Sequence, residues 1–174
     1  MSRALWIALP FLLVANYFFA VARHEWAHAL VATASGSFVV DVHIWPPDGL
    51  NLSWMTEITN PSRSLGSLRL QGAMPYLISL LLLLAGLLYL AGAPRRGFLW
   101  LNVVLTAVAF PLADLVAGVG AYWFSGNDFY YVFGPGTLMV RVVLSFWLLV
   151  LGLQAVWLIL RRPGRARERG KRAE

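Results

Sequence analysis

Within the stretch VARHEWAHALVA, His24, Glu25 and His28 stand at the end of a long apolar run. On a helix, residues four apart project from one face, so the two imidazoles could share one ion. Zinc accepts imidazole nitrogen at about 2.0–2.1 Å. Glu25 lies about 100° round the same helix. That is too far round to ligate, but well placed to take a proton from a zinc-activated water. The chemistry expected of such a centre is hydrolysis with Glu25 as general base. The bland alternative is an interfacial cluster in which the histidines and glutamate satisfy one another and Arg23 pairs with Glu25.

A catalytic zinc needs a third protein ligand and an open fourth position. The chain has no cysteine, which excludes thiolate sites, disulfides and cysteine nucleophiles. Three candidates remain. Asp114 lies in AVAFPLADLVAG, inside an apolar block, where a lone carboxylate is costly unless paired or bound to a metal. Pro111, three residues earlier, would loosen the helix and help aim it. Asp128, in FSGNDFYY, is the less favoured rival, and a plain turn residue is the commoner role for it there. His43 is the third, in a segment where a structural role is the commoner one.

The elements that must carry these residues are apolar and long. Of the 174 residues, 59% are hydrophobic and only 13% charged, about half the charge of a soluble domain. Four blocks reach the roughly 20 apolar residues that a span requires. They are residues 4–22 running on through RHEWAHALVATA, then 73–91, 98–124 and 138–160. The fold class expected is an all-α membrane protein of about four transmembrane helices. Its length suits a single domain, residues 1–160. The N-terminus also resembles a cleavable signal, with Ala20-Val-Ala22 as its site, but the helical pattern continues past that point.

Between the first two spans, the polar segment 35–71 contains two alternating runs, SFVVDVHIW and LNLSWM, separated by PPDG. This predicts a short β-hairpin over residues 38–55, placed at the mouth of the bundle because an open edge cannot face hydrocarbon. Counted along the spans, His24, His28 and Asp114 all fall toward one side of the bilayer, with Asp128 at that surface. The net charge is +6, and seven of the 14 basic residues lie in 161–174. That tail is expected to be disordered beside headgroups, and the charge rule makes its side cytoplasmic. No folded basic patch with interleaved aromatics points to nucleic acid.

Taken together, these features resemble the site-2 protease family of intramembrane zinc metalloproteases. The likeness covers most of the chain: an early His-Glu-x-x-His, a membrane-associated β-hairpin, a second helix, and a third helix with a Pro-containing motif ending in Asp. Here FPLAD, residues 110–114, stands where the family carries Leu-Asp-Gly, with Leu115 in place of the glycine. Gly72-Ala-Met-Pro75 is loosely similar to the family's Gly-Pro-x-x-Asn. The resemblance implies one Zn²⁺ per chain on His24, His28 and Asp114, with Glu25 as base. It implies a membrane-protein substrate and a zinc site near the cytosolic face, opposite to the charge rule. The competing expectation is a non-enzymatic membrane scaffold or partner-binding protein with a degenerate or structural metal site. An ion transporter fits less well, since the second and fourth spans offer little polar lining beyond Ser79, Ser145 and Gln154.

Overall fold

The computed structural model describes residues 3–42, 56–59, 64–92, 97–124, 128–134 and 138–161. Four of its helices are long and apolar enough to cross a membrane. The first, α1 (Arg3–Ala34), runs unbroken through Ala20-Val-Ala22 and carries the histidines in its last third. It stops at Gly36, which takes φ +76°. The Ser37 amide donates to the Ala32 carbonyl and the Gly36 amide to that of Thr33, so the last carbonyls are satisfied by a left-handed cap.

Two strands follow, β1 (Phe38–Val42) and β2 (Thr56–Thr59), paired antiparallel. Phe38 faces Thr59 and Val42 faces Thr56, with an irregularity between Val39 and Asp41. The expected antiparallel pairing is therefore present, and the described part of its second strand, residues 56–59, lies just past the predicted segment. Thr56, Ile58 and Thr59 are β-branched and stiff at χ1, which suits an extended backbone. The PPDG turn, His43 and residues 50–55 lie outside the described residues, as do residues 162–174 of the tail.

The second span, α2 (Leu65–Gly92), starts eight residues before the expected one. Ser64 explains the early start: its Oγ accepts the Ser67 amide at 3.2 Å, an N-cap that closes a helix whose first turns are polar. The third span is continuous over 98–124 but not uniform. It comprises α3 (Phe98–Val103), a π-helical turn (Val104–Ala109) and α4 (Phe110–Phe124). Pro111 has no amide to offer the carbonyl four residues back. The chain widens just before it, and the Phe110 amide donates to Leu105 instead. A short helix, α5 (Asp128–Phe133), then precedes the last span, α6 (Leu138–Leu160).

The middle spans form the inside of the bundle. In the most apolar stretches of α2 and of the third span 39% of residues are buried, against 11% for α1 and α6. The main core joins Leu83, Leu87 and Leu90 of α2 to Val108, Leu115 and Val119, with Ala155 and Leu158 closing it from α6. A smaller cluster packs Leu5 of α1 on Leu101 and Leu105.

One polar link crosses the bundle far from the histidines. The Thr106 hydroxyl donates to Asn16 Oδ1 at 2.5 Å, while Asn16 Nδ2 donates to the Leu12 carbonyl. Asn16 is buried, so this bond ties α1 to the π turn in an apolar setting. Thr106→Val should lower stability by about 0.6–1.7 kcal/mol. Reversible unfolding in mixed detergents would read this as a lower midpoint, and an unchanged midpoint would contradict the assignment.

Candidate metal centre

Helix α1 presents His24 and His28 from one face, one turn apart, with their Nε2 atoms 3.2 Å from each other. Each ring is held from behind. His24 Nδ1 is 2.9 Å from Asp114 Oδ1, and His28 Nδ1 is 3.0 Å from the backbone carbonyl of Gln71. Both partners are acceptors, so both rings carry their proton on Nδ1. In neutral rings the two Nε2 lone pairs are then turned toward one point.

Asp128 completes that convergence. It opens α5, and its Oδ2 lies 3.4 Å from His28 Nε2 and 3.8 Å from His24 Nε2. Burial alone would raise the Asp128 carboxyl. Protonated, the two histidines outweigh it through hydrogen bonds and charge and hold the group below the ordinary carboxylate range. With both rings in the neutral form, three acceptors would face one another, an arrangement that calls for a cation. Ligands at about 2.0–2.1 Å in a tetrahedron stand about 3.3–3.4 Å apart. The observed triangle of 3.2, 3.4 and 3.8 Å is close to that size. His24, His28 and Asp128 form a group that could hold a metal ion.

Asp114 stands elsewhere. It reaches His24 on the ring's other nitrogen, and its second oxygen accepts the Ser79 hydroxyl at 2.5 Å and Arg23 Nη2 at 3.2 Å. Arg23 also donates to Ser79 at 2.8 Å. This partly buried Arg–Asp–Ser cluster joins α1, α4 and α2, and Ser79 is fully enclosed. Arg23 therefore pairs with Asp114 rather than with Glu25 as the bland alternative had it. Its Nε and Nη1 are buried without a hydrogen-bond partner among the described residues.

Glu25 is 5% exposed, and its charge is felt at both His24 and Tyr76. Tyr76 and Ser79 are site residues that sequence reading did not assign. The signal available was a pair of polar-tipped residues three apart in AMPYLISL, one helical turn into an otherwise apolar span. Tyr76 donates to Asp128 Oδ2 at 3.2 Å. Ser145, considered above for a transport path, instead accepts the Trp123 indole N–H at 3.0 Å. Compared with known proteins, the chain matches no family model, no curated protein and no solved structure.

Breaking the partly buried ion pair should be costly. Arg23→Met leaves Asp114 with one partner fewer, a loss of about 1–3 kcal/mol. The double variant Arg23→Met/Asp114→Asn should regain part of that loss, measured by unfolding in mixed detergents. A double variant less stable than Arg23→Met would contradict the pairing.

Proposed function

We propose that this chain is an intramembrane zinc endopeptidase of the site-2 protease kind, with His24, His28 and Asp128 as metal ligands and Glu25 as general base. The observation that carries the proposal is the triangle of Nε2, Nε2 and Oδ2 atoms, of a size that zinc would accept. Two imidazoles and a carboxylate are a hydrolytic donor set that leaves a fourth position open. In this reading Asp128 replaces Asp114 as third ligand. Asp114 takes the place of the carboxylate behind a ligating histidine, which fixes its tautomer and makes it a better donor. Zn²⁺ held there would polarise the scissile carbonyl and bring the pKa of a water to about 7.

The remaining work falls to side chains. Asp114 and the Gln71 carbonyl keep both imidazoles oriented, and Arg23 with Ser79 holds Asp114 in place. Glu25 takes the proton of the attacking water and delivers it to the leaving amine. The substrate would be a transmembrane segment, locally unwound, added as a strand at an edge of the β1–β2 pair. An apolar cavity of about 510 Å³ between α2, α4, α5 and α6 adjoins the site through Tyr76 and Phe129 and would take side chains flanking the scissile bond.

The membrane orientation follows from charge. Arg161, at the end of α6, donates to the carbonyls of Leu90 and Ala91 at the end of α2. Gln71 and Leu90 are separated by about 28 Å of helix. The centre and the basic terminus therefore lie near opposite faces. The basic face is cytoplasmic by the charge rule, and the centre lies toward the other.

Two measurements test the assignment of roles. Asp114→Asn should weaken zinc binding by about 10–100-fold. Asp128→Asn should weaken it further, by competition with a chromophoric chelator, and the reverse order would return the ligand role to Asp114. Glu25→Gln should retain zinc and lower cleavage of a model transmembrane peptide by about 100-fold or more. Cleavage at the wild-type rate would remove Glu25 from the mechanism. A wild-type protein that holds zinc without cleaving would favour the scaffold reading.

A further inference from the structure

We propose that Tyr76 is a further catalytic residue, whose phenol donates a hydrogen bond to the oxyanion that forms at the scissile carbonyl. The inference rests on the peptidase reading and concerns a residue outside its ligands and base. The Tyr76 hydroxyl is 3.2 Å from Asp128 Oδ2, the same oxygen that faces both Nε2 atoms. It therefore stands one hydrogen bond away from the point where the three acceptors converge.

The ring has little freedom to leave that position. It meets His24 edge-on, with centroids 5.3 Å apart, and lies against Phe129 at 4.4 Å. Its far side fills a slot that exists because residue 118 is glycine. A Cβ there would come within 2.3 Å of Tyr76 Cε1 and 2.6 Å of Phe129. One turn earlier on α2, Gly72 lets the Asp128 backbone carbonyl approach, to within 2.8 Å of where a Cβ would be. Both small residues bring α4 and α5 against Tyr76, which is 8% exposed. A donor fixed in advance needs no reorganisation as charge develops.

The inventory of protons points the same way. His24 and His28 commit Nδ1–H to Asp114 and Gln71 and turn lone pairs inward. Asp128 and Asp114 are acceptors, and the Arg23 nitrogen nearest the site serves Asp114 and Ser79. With both rings neutral, Tyr76 is the side chain among these that brings a proton toward the convergence point, at 3.2 Å from Asp128 Oδ2. Once Asp128 shares its oxygen with a cation it accepts less strongly, and rotation about the phenol C–O bond redirects the proton with the ring unmoved.

The step balances without transfer from Tyr76. Water oxygen bonds to the carbonyl carbon, the π pair moves to the carbonyl oxygen, and Glu25 receives the water proton. Tyr76 donates a hydrogen bond to that oxygen and keeps its proton. Collapse reforms the carbonyl, breaks the C–N bond, and the nitrogen takes the proton from Glu25.

The test uses the zinc-loaded full-length chain in nanodiscs with three readouts: zinc affinity, cleavage of an apolar transmembrane peptide, and binding of a phosphinic peptide as tetrahedral mimic. Tyr76→Phe should bind zinc within about twofold of wild type, with KM within about threefold, while kcat and phosphinic affinity each fall about 100-fold. Unchanged kcat and phosphinic affinity would overturn the proposal. So would a loss of zinc in a monodisperse variant, which would make Tyr76 a positioning residue for Asp128. If Tyr76→Phe is not monodisperse, Phe129→Leu keeps the phenol but loosens its slot. It should lose phosphinic affinity with zinc retained, and no loss would overturn the idea. Wild-type protein that holds zinc but neither cleaves nor binds the phosphinic peptide would overturn the peptidase reading itself. Activity equal in wild type and Tyr76→Phe would overturn only the role of Tyr76.

Discussion

The hydrogen bond between His24 Nδ1 and Asp114 is the interaction on which the site's arrangement depends. It places the imidazole proton on the outer nitrogen and leaves Nε2 facing His28 and Asp128. It also answers a membrane problem. A carboxylate at this depth is expensive alone, and here Arg23, Ser79 and His24 share it. One acceptor thereby ties three spans together: α1 through Arg23 and His24, α2 through Ser79, and α4 through Asp114 itself.

Backbone geometry decides where that carboxylate points. The π turn at Val104–Ala109 adds a wider turn before Pro111, which changes the angular register of everything after it. Asp114 sits one turn further on and meets α1 rather than lipid. The end of α4 and the short α5 then bring Asp128 back over the histidines, close against α2 at Gly72. Two carboxylates 14 positions apart thus reach opposite nitrogens of one ring, 2.9 Å and 3.8 Å away.

Much of this was legible in the sequence. The apolar blocks at 98–124 and 138–160 coincide with the observed spans, because a length of about 20 apolar residues is a demand of the bilayer itself. The pairing of His24 with His28 follows from helical spacing alone. The first eight residues of α2 were not legible, since Gly66, Ser67 and Gln71 read as loop and the capping bond of Ser64 is a local detail. The pairing of β1 with residues 56–59 lies just beyond the predicted segment, because a ladder is a long-range pairing with weak local signal. The positions of Asp114 and Asp128 were the least legible feature. Depth along a span places both near the histidines, but which ring nitrogen each meets depends on a π turn and on a six-residue helix that periodicity does not announce.

The measurement that tests the central claim most directly is the metal content of the purified wild-type protein after dialysis against a mild chelator. The account predicts about one zinc per chain, held by the two imidazoles and a carboxylate. A monodisperse, helical protein that retains no metal would contradict it, and would leave His24, His28 and Asp128 as a polar cluster at the end of a membrane helix.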